Sequence, residues 1–162
     1  MLLLMSMASN TWCVMPFAHL NLKPYGYVGS CWRNLTDLGD YQTESLRKIW
    51  NGPGFQRLRD DLIQGRKPVG CRSCWDMEAA GVVSTRQQCN ADFKKFHEEM
   101  ENPDALVQPL KFASIEIRFH NECNLMCRHC NPFNSSRLDQ LARNNPSLAA
   151  MYGGYMDYDG IS

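Results

Sequence analysis

The spacing of apolar residues changes several times along the chain, and each change predicts a change of element. Phe17, Ala18, Leu20 and Leu22 lead into Pro24-Tyr25-Gly26, then Tyr27 and Val28. Proline presets a turn and glycine permits positive φ, so residues 11–32 are expected to form two short strands around a turn. Thr43 is placed to cap a short helix whose Leu46, Ile49 and Trp50 fall at i, i+3 and i+4, with Gly52 as its stop. Phe55, Leu58, Leu62 and Ile63 fit i, i+3, i+7 and i+8 and predict a second helix, closed by Gly65 and Pro68. A third amphipathic segment carries Phe93, Phe96, His97 and Met100 before Asn102-Pro103 breaks it. The period then becomes two: Ala113, Ile115, Ile117 and Phe119 alternate with Ser114, Glu116 and Arg118, the signature of a strand. A helix is expected after Pro132, capped by Ser135 or Ser136 and burying Leu138 and Leu141. The Gly-, Tyr- and Asp-rich tail from Met151 to Ser162 has no clean period. The expected boundary falls between residues 101 and 111, around Pro103 and Pro109.

Composition narrows the function classes. The 162 residues hold one ordinary domain or two small ones, and a complete (β/α)₈ barrel does not fit. Seventeen Lys+Arg balance seventeen Asp+Glu, so no global field draws the chain to nucleic acid or to an anionic membrane. The apolar start Met1-Leu2-Leu3-Leu4-Met5 is interrupted by Ser6, Ser9 and Asn10, far short of the roughly 20 residues of a membrane span. Eight cysteines are too few for a secreted disulfide scaffold, and their spacing decides what they do. That spacing suits a reducing compartment, and the cytoplasm is the expected location.

Cys123, Cys127 and Cys130 form C-x3-C-x2-C directly after the predicted strand. Three thiolates on so short a loop can wrap three corners of an iron-sulfur cubane, leaving one iron open to a substrate or cofactor. The competing interpretation is a zinc site completed by His129 or His120. A second set comprises Cys13, the Gly26-to-Cys31 unit (G-x4-C) and Cys71-Arg-Ser-Cys74, with Cys89 beyond. Four thiolates from a hairpin and a C-x2-C loop suffice for a second cluster or for zinc. Cys89 is the spare, read as a small buried hydrophobe that could replace one of the four.

The run from Ile115 to Pro132 resembles the first barrel strand and cluster loop of radical S-adenosylmethionine enzymes. The resemblance implies that Cys123, Cys127 and Cys130 bind a 4Fe-4S cluster whose fourth iron is chelated by S-adenosyl-L-methionine. Reductive cleavage of that cofactor would give a 5′-deoxyadenosyl radical that abstracts hydrogen, an oxidoreductase chemistry. It also implies that His129 packs against the cofactor and that a flavodoxin- or ferredoxin-like donor supplies the electron. Residues 12–90 are similar to the SPASM and twitch auxiliary-cluster domains that accompany many such enzymes, in the one-cluster, twitch-like form. That likeness assigns Cys13, Cys31, Cys71 and Cys74 to an auxiliary cluster and, by analogy, a peptide or protein to the enzyme as substrate.

The expected fold class is therefore α/β: an incomplete radical-SAM (β/α) barrel start over residues 111–162, preceded by a small α+β twitch-like iron-sulfur domain over 11–101. On this reading the chain is a C-terminally truncated enzyme, inactive alone, and no catalytic residue is assigned. The rival reading is a zinc-stabilised, cysteine-rich binding module without catalysis. Trp12, Trp32 and Trp75 each adjoin a candidate ligand and are expected to exclude water. Glu116 and Arg118 share the strand's polar face and are read as a structural ion pair, and Gly153-Gly154 as a chance likeness to the superfamily's Gly-Gly-Glu stretch.

Overall fold

Pro16 lies in the first turn of a short buried helix, α1 (Met15–Ala18), where its missing N–H costs nothing. Helix thus takes Phe17 and Ala18, for which the sequence pattern predicted strand. The computed structural model describes residues 10–95, 113–118 and 120–152 and divides into two units, Met1–Ile117 and Arg118–Ser162.

In the first unit, β1 (His19–Leu22) turns through Pro24–Gly26 into β2 (Tyr27–Gly29). Gly26 takes φ +98° at the turn, and a side chain there would strike Asp40. β3 (Gly39–Asp40) adds antiparallel to β2. Two helices follow: α2 (Leu46–Trp50), capped by Ser45 rather than Thr43, and α3 (Pro53–Ile63). Ser45 accepts from Lys48 N–H, the position a cap must reach; Thr43 instead donates its hydroxyl to the Asp40 carbonyl. α3 ends where Gly65 adopts φ +78° and Arg66 N–H bonds back to Asp61 O, a Schellman closure. Next come α4 (Arg72–Ala79) and α5 (Thr85–Asp92), neither foreseen from the sequence. Of the apolar residues of the third predicted segment only Phe93 is described, as the cap of α5; Phe96, His97 and Met100 lie outside the described residues.

The strand predicted after residue 112 forms as β4 (Ser114–Ile117) and lies parallel to β1, giving the order β3-β2-β1-β4. It is therefore hydrogen-bonded to the hairpin of the first unit. The division of the chain falls after Ile117; the expected boundary at residues 101–111 lies outside the described residues. β1 is buried on both faces. Leu20 and Leu22 meet Val28, Ile49, Trp50 and Phe55 in one core. On the other face His19 Nδ1 lies 2.7 Å from Ser114 Oγ, and Asn21 donates to Glu116 at 3.2 Å. Ile115 and Ile117 are 38% and 45% exposed, so the alternation marks the strand without marking a buried face.

In the second unit a loop over residues 120–131 leads through the turn Pro132–Asn134 into α6 (Ser136–Arg143) and α7 (Pro146–Tyr152). Ser135 is the cap of α6, accepting from Leu138 N–H. Leu138 and Ala142 are buried, whereas Leu141 is exposed. Gly153-Gly154 lies outside the described residues. Among the described residues no helix is long and apolar enough to cross a membrane.

Candidate iron-sulfur site

Cys13, Cys31, Cys71 and Cys74 arrive from three separated stretches and line one cavity, of about 350 Å³ with its solvent-open part, together with Met15, Leu62, Trp75 and Arg86. Each stretch is held by identifiable bonds. Thr11 Oγ1 donates to Leu62 O at 2.8 Å, fixing the approach to Cys13 against the end of α3. Asn90 of α5 brackets Cys13: it accepts from Val14 N–H at 2.8 Å and donates to Trp12 O at 3.0 Å. Cys31 follows β2 in a turn closed by Asn34 N–H, and buried Asn34 also donates to Ser30. Leu35 N–H bonds to Gly70 O at 3.0 Å, which ties the Cys31 loop to the residue before Cys71. Gly70 is required there, because a Cβ would collide with Asn34 and Thr36. Cys71 caps α4 and Cys74 lies in its first turn, a spacing of three that sets both thiols on one side of the helix.

The electrostatics reflect this convergence. Burial pushes the Cys13 thiol well above its ordinary value, and the thiols of Cys31, Cys71 and Cys74 each add to the effect. Burial likewise raises Cys31. Cys71 is pushed up to about 12 by burial and by Cys31 and Cys74, with Arg86 pulling the other way. In the unliganded state these groups are therefore neutral thiols. A metal or cluster that binds them must displace their protons, and it supplies the positive charge that makes four thiolates tolerable together. Among the described residues no group of three or more His, Cys, Asp or Glu side chains is drawn together as for a single metal ion.

Cys89 belongs to the same apolar cluster as Cys13 and Trp75. It is raised to about 11 by burial, Cys31, Asp92 and Cys74, but it does not line the cavity. Trp12 and Trp75 are buried as expected of water-excluding neighbours, whereas Trp32 is 48% exposed and sets its edge against His19.

Residues 13–75 match the family model of SPASM, an iron-sulfur cluster-binding domain. The matched segment spans all four cavity cysteines and implies iron-sulfur cluster binding. SPASM is the auxiliary domain of radical S-adenosylmethionine enzymes. The SPASM match ends before α5, so Arg86, Cys89 and Asn90 lie beyond it. No curated protein and no solved structure matches the chain.

Cys123, Cys127 and Cys130 lie in the second unit on the loop before α6. Cys127 and His129 are exposed, and Cys123 and Cys130 half-buried. The amino end of α6 anchors the loop: Ser136 N–H bonds to Asn121 O, Ser136 Oγ accepts from Cys123 N–H, and Ser135 Oγ donates to Leu125 O. Cys130 N–H closes a tight turn onto Cys127 O at 2.9 Å. Arg118 donates to Asn134 at 2.7 Å, and Glu116 accepts from Asn21 at 3.2 Å. Sequence reasoning missed Glu78, Arg86 and Asn90. The signal available was Ser84 with Gln87 three residues on, a capping box announcing α5.

Proposed function

We propose that Cys13, Cys31, Cys71 and Cys74 hold one auxiliary 4Fe-4S cluster, and that the chain is part of a radical S-adenosylmethionine enzyme. The observation that carries this is the convergence of four thiols from separated segments on one cavity, all four of them within the SPASM match. The donor set fits a cubane: four soft ligands, with Met15, Leu62 and Trp75 beside them on the cavity wall. Bound there, such a group supplies one-electron transfer.

Cys123, Cys127 and Cys130 would hold the second 4Fe-4S cluster, whose open corner takes S-adenosyl-L-methionine, with His129 beside it. This loop is supported by its spacing and by its anchorage on Ser135 and Ser136. The reaction would be hydrogen abstraction from a peptide or protein, with a flavodoxin- or ferredoxin-like donor, in the cytoplasm. Anaerobic reconstitution tests the proposal. About eight iron and eight labile sulfide per chain are expected from two 4Fe-4S clusters. Two zinc without labile sulfide would overturn it in favour of the binding module. Cys123→Ala/Cys127→Ala/Cys130→Ala should abolish S-adenosyl-L-methionine binding, and undiminished binding would reject the ligand assignment.

A further inference from the structure

Arg86 is 9% exposed and lines the cavity with the four thiols. Its guanidinium grips Glu78 of α4 through two contacts, Nε to Oε1 at 2.9 Å and Nη2 to Oε2 at 2.8 Å. The third nitrogen, Nη1, donates to Trp12 O at 2.5 Å, next to Cys13. The same guanidinium lies 5.0 Å over the ring of Trp75, next to Cys74. One side chain from α5 therefore joins the Cys13 strap to the helix that bears Cys71 and Cys74. Ser84, the cap of α5, also donates to Glu78, so the acceptor is held independently of Arg86. Hydrogen bonds from Arg86 and Ser84 bring the Glu78 carboxyl below its ordinary value although burial opposes this. The pair is thus an ionised carboxylate and a cation, and the cation is the member on the cavity wall.

We infer that Arg86 is a positioning residue of the four-thiol site and that the Arg86–Glu78 pair sets the reduction potential of the cluster bound there. This rests on the cluster reading above. A cubane held by four thiolates carries net negative charge, and an adjacent buried cation favours its reduced, more negative form. Glu78, the other half of the pair, opposes that effect. The two residues therefore pull the potential in opposite directions, which a merely structural pair would not do: loosening the site from either end would disturb it in the same way.

The test is a redox titration followed by electron paramagnetic resonance on the reconstituted full chain. Cys123→Ala/Cys127→Ala/Cys130→Ala serves as background, so that one cluster is observed. Arg86→Gln should disfavour reduction by about tenfold, about 59 mV more negative for a one-electron couple. Glu78→Gln should shift the potential positively, and Arg86→Lys, which keeps the charge, should stay closer to the parent than Arg86→Gln. Shifts of the same sign, or neither variant moving beyond about twofold (about 18 mV), would overturn the role of Arg86 while leaving the cluster in place. If Arg86→Gln does not load, the Glu78→Gln shift decides alone: positive supports the inference, zero or negative rejects it. A parent chain without labile sulfide rejects both the cluster and the inference built on it.

Discussion

Arg59 shows how a single polar residue stabilises this small fold. Its guanidinium lies over the rings of Phe17, Trp50 and Phe55 at 5.7, 4.4 and 5.1 Å and donates to Pro16 O and Trp50 O. Burial lowers it to about 10, still cationic at neutral pH. Arg59→Ala should cost about 3 kcal/mol in urea unfolding, from the lost ring contacts and two carbonyls left without their donor; a loss below about 1 kcal/mol would contradict this. The thiols give a prediction in pH. In the unliganded chain Cys13, Cys31, Cys71 and Cys89 are all raised above 9.0. The unfolded chain therefore ionises first, and the thiols' contribution to stability falls as pH rises from 9.0 toward about 12, the value of Cys71. The urea midpoint should drop as pH rises from about 9 toward about 12, and less steeply in Cys71→Ala.

At the scale of elements, α5 clamps the site: its Asn90 and Arg86 hold the backbone around Cys13, and its capping box fixes where it begins. Ser84→Ala removes the cap and a bond to Glu78, and should cost about 1–2 kcal/mol by chemical denaturation. Gly70→Ala forces a Cβ into Asn34 and Thr36, and about 1–3 kcal/mol should be lost together with cluster yield. The sequence made α3 legible because Phe55, Leu58 and Leu62 repeat on one face and Gly65 closes it. It hid α4 and α5, since helices of eight residues carry too few apolar positions to establish a period, and their buried residues include Cys74, Cys89 and Arg86. The candidate ligands were visible as spacings. What brings them together was not, because Leu35 to Gly70 and Trp12 to Asn90 are contacts across long stretches of chain. β4 shows the converse: its alternation identified a strand, but only tertiary structure could show that it pairs with β1 and leaves Ile115 and Ile117 exposed.

For the whole molecule, the first unit builds its sheet and helices around two apolar clusters, and one of them contains Cys13 and Cys89 and touches Cys31 and Cys71. Thiols that also form the core link metal binding to folding. Loading should raise the thermal midpoint, and stripping iron with a chelator should lower it. The central claim is that the four-thiol cavity is an iron-sulfur site in its own right. Iron and acid-labile sulfide, counted per chain after anaerobic reconstitution of Cys123→Ala/Cys127→Ala/Cys130→Ala, test it most directly. About four of each should remain and be lost when Cys71→Ala and Cys74→Ala are added; zinc without sulfide, or iron indifferent to Cys71 and Cys74, would contradict it.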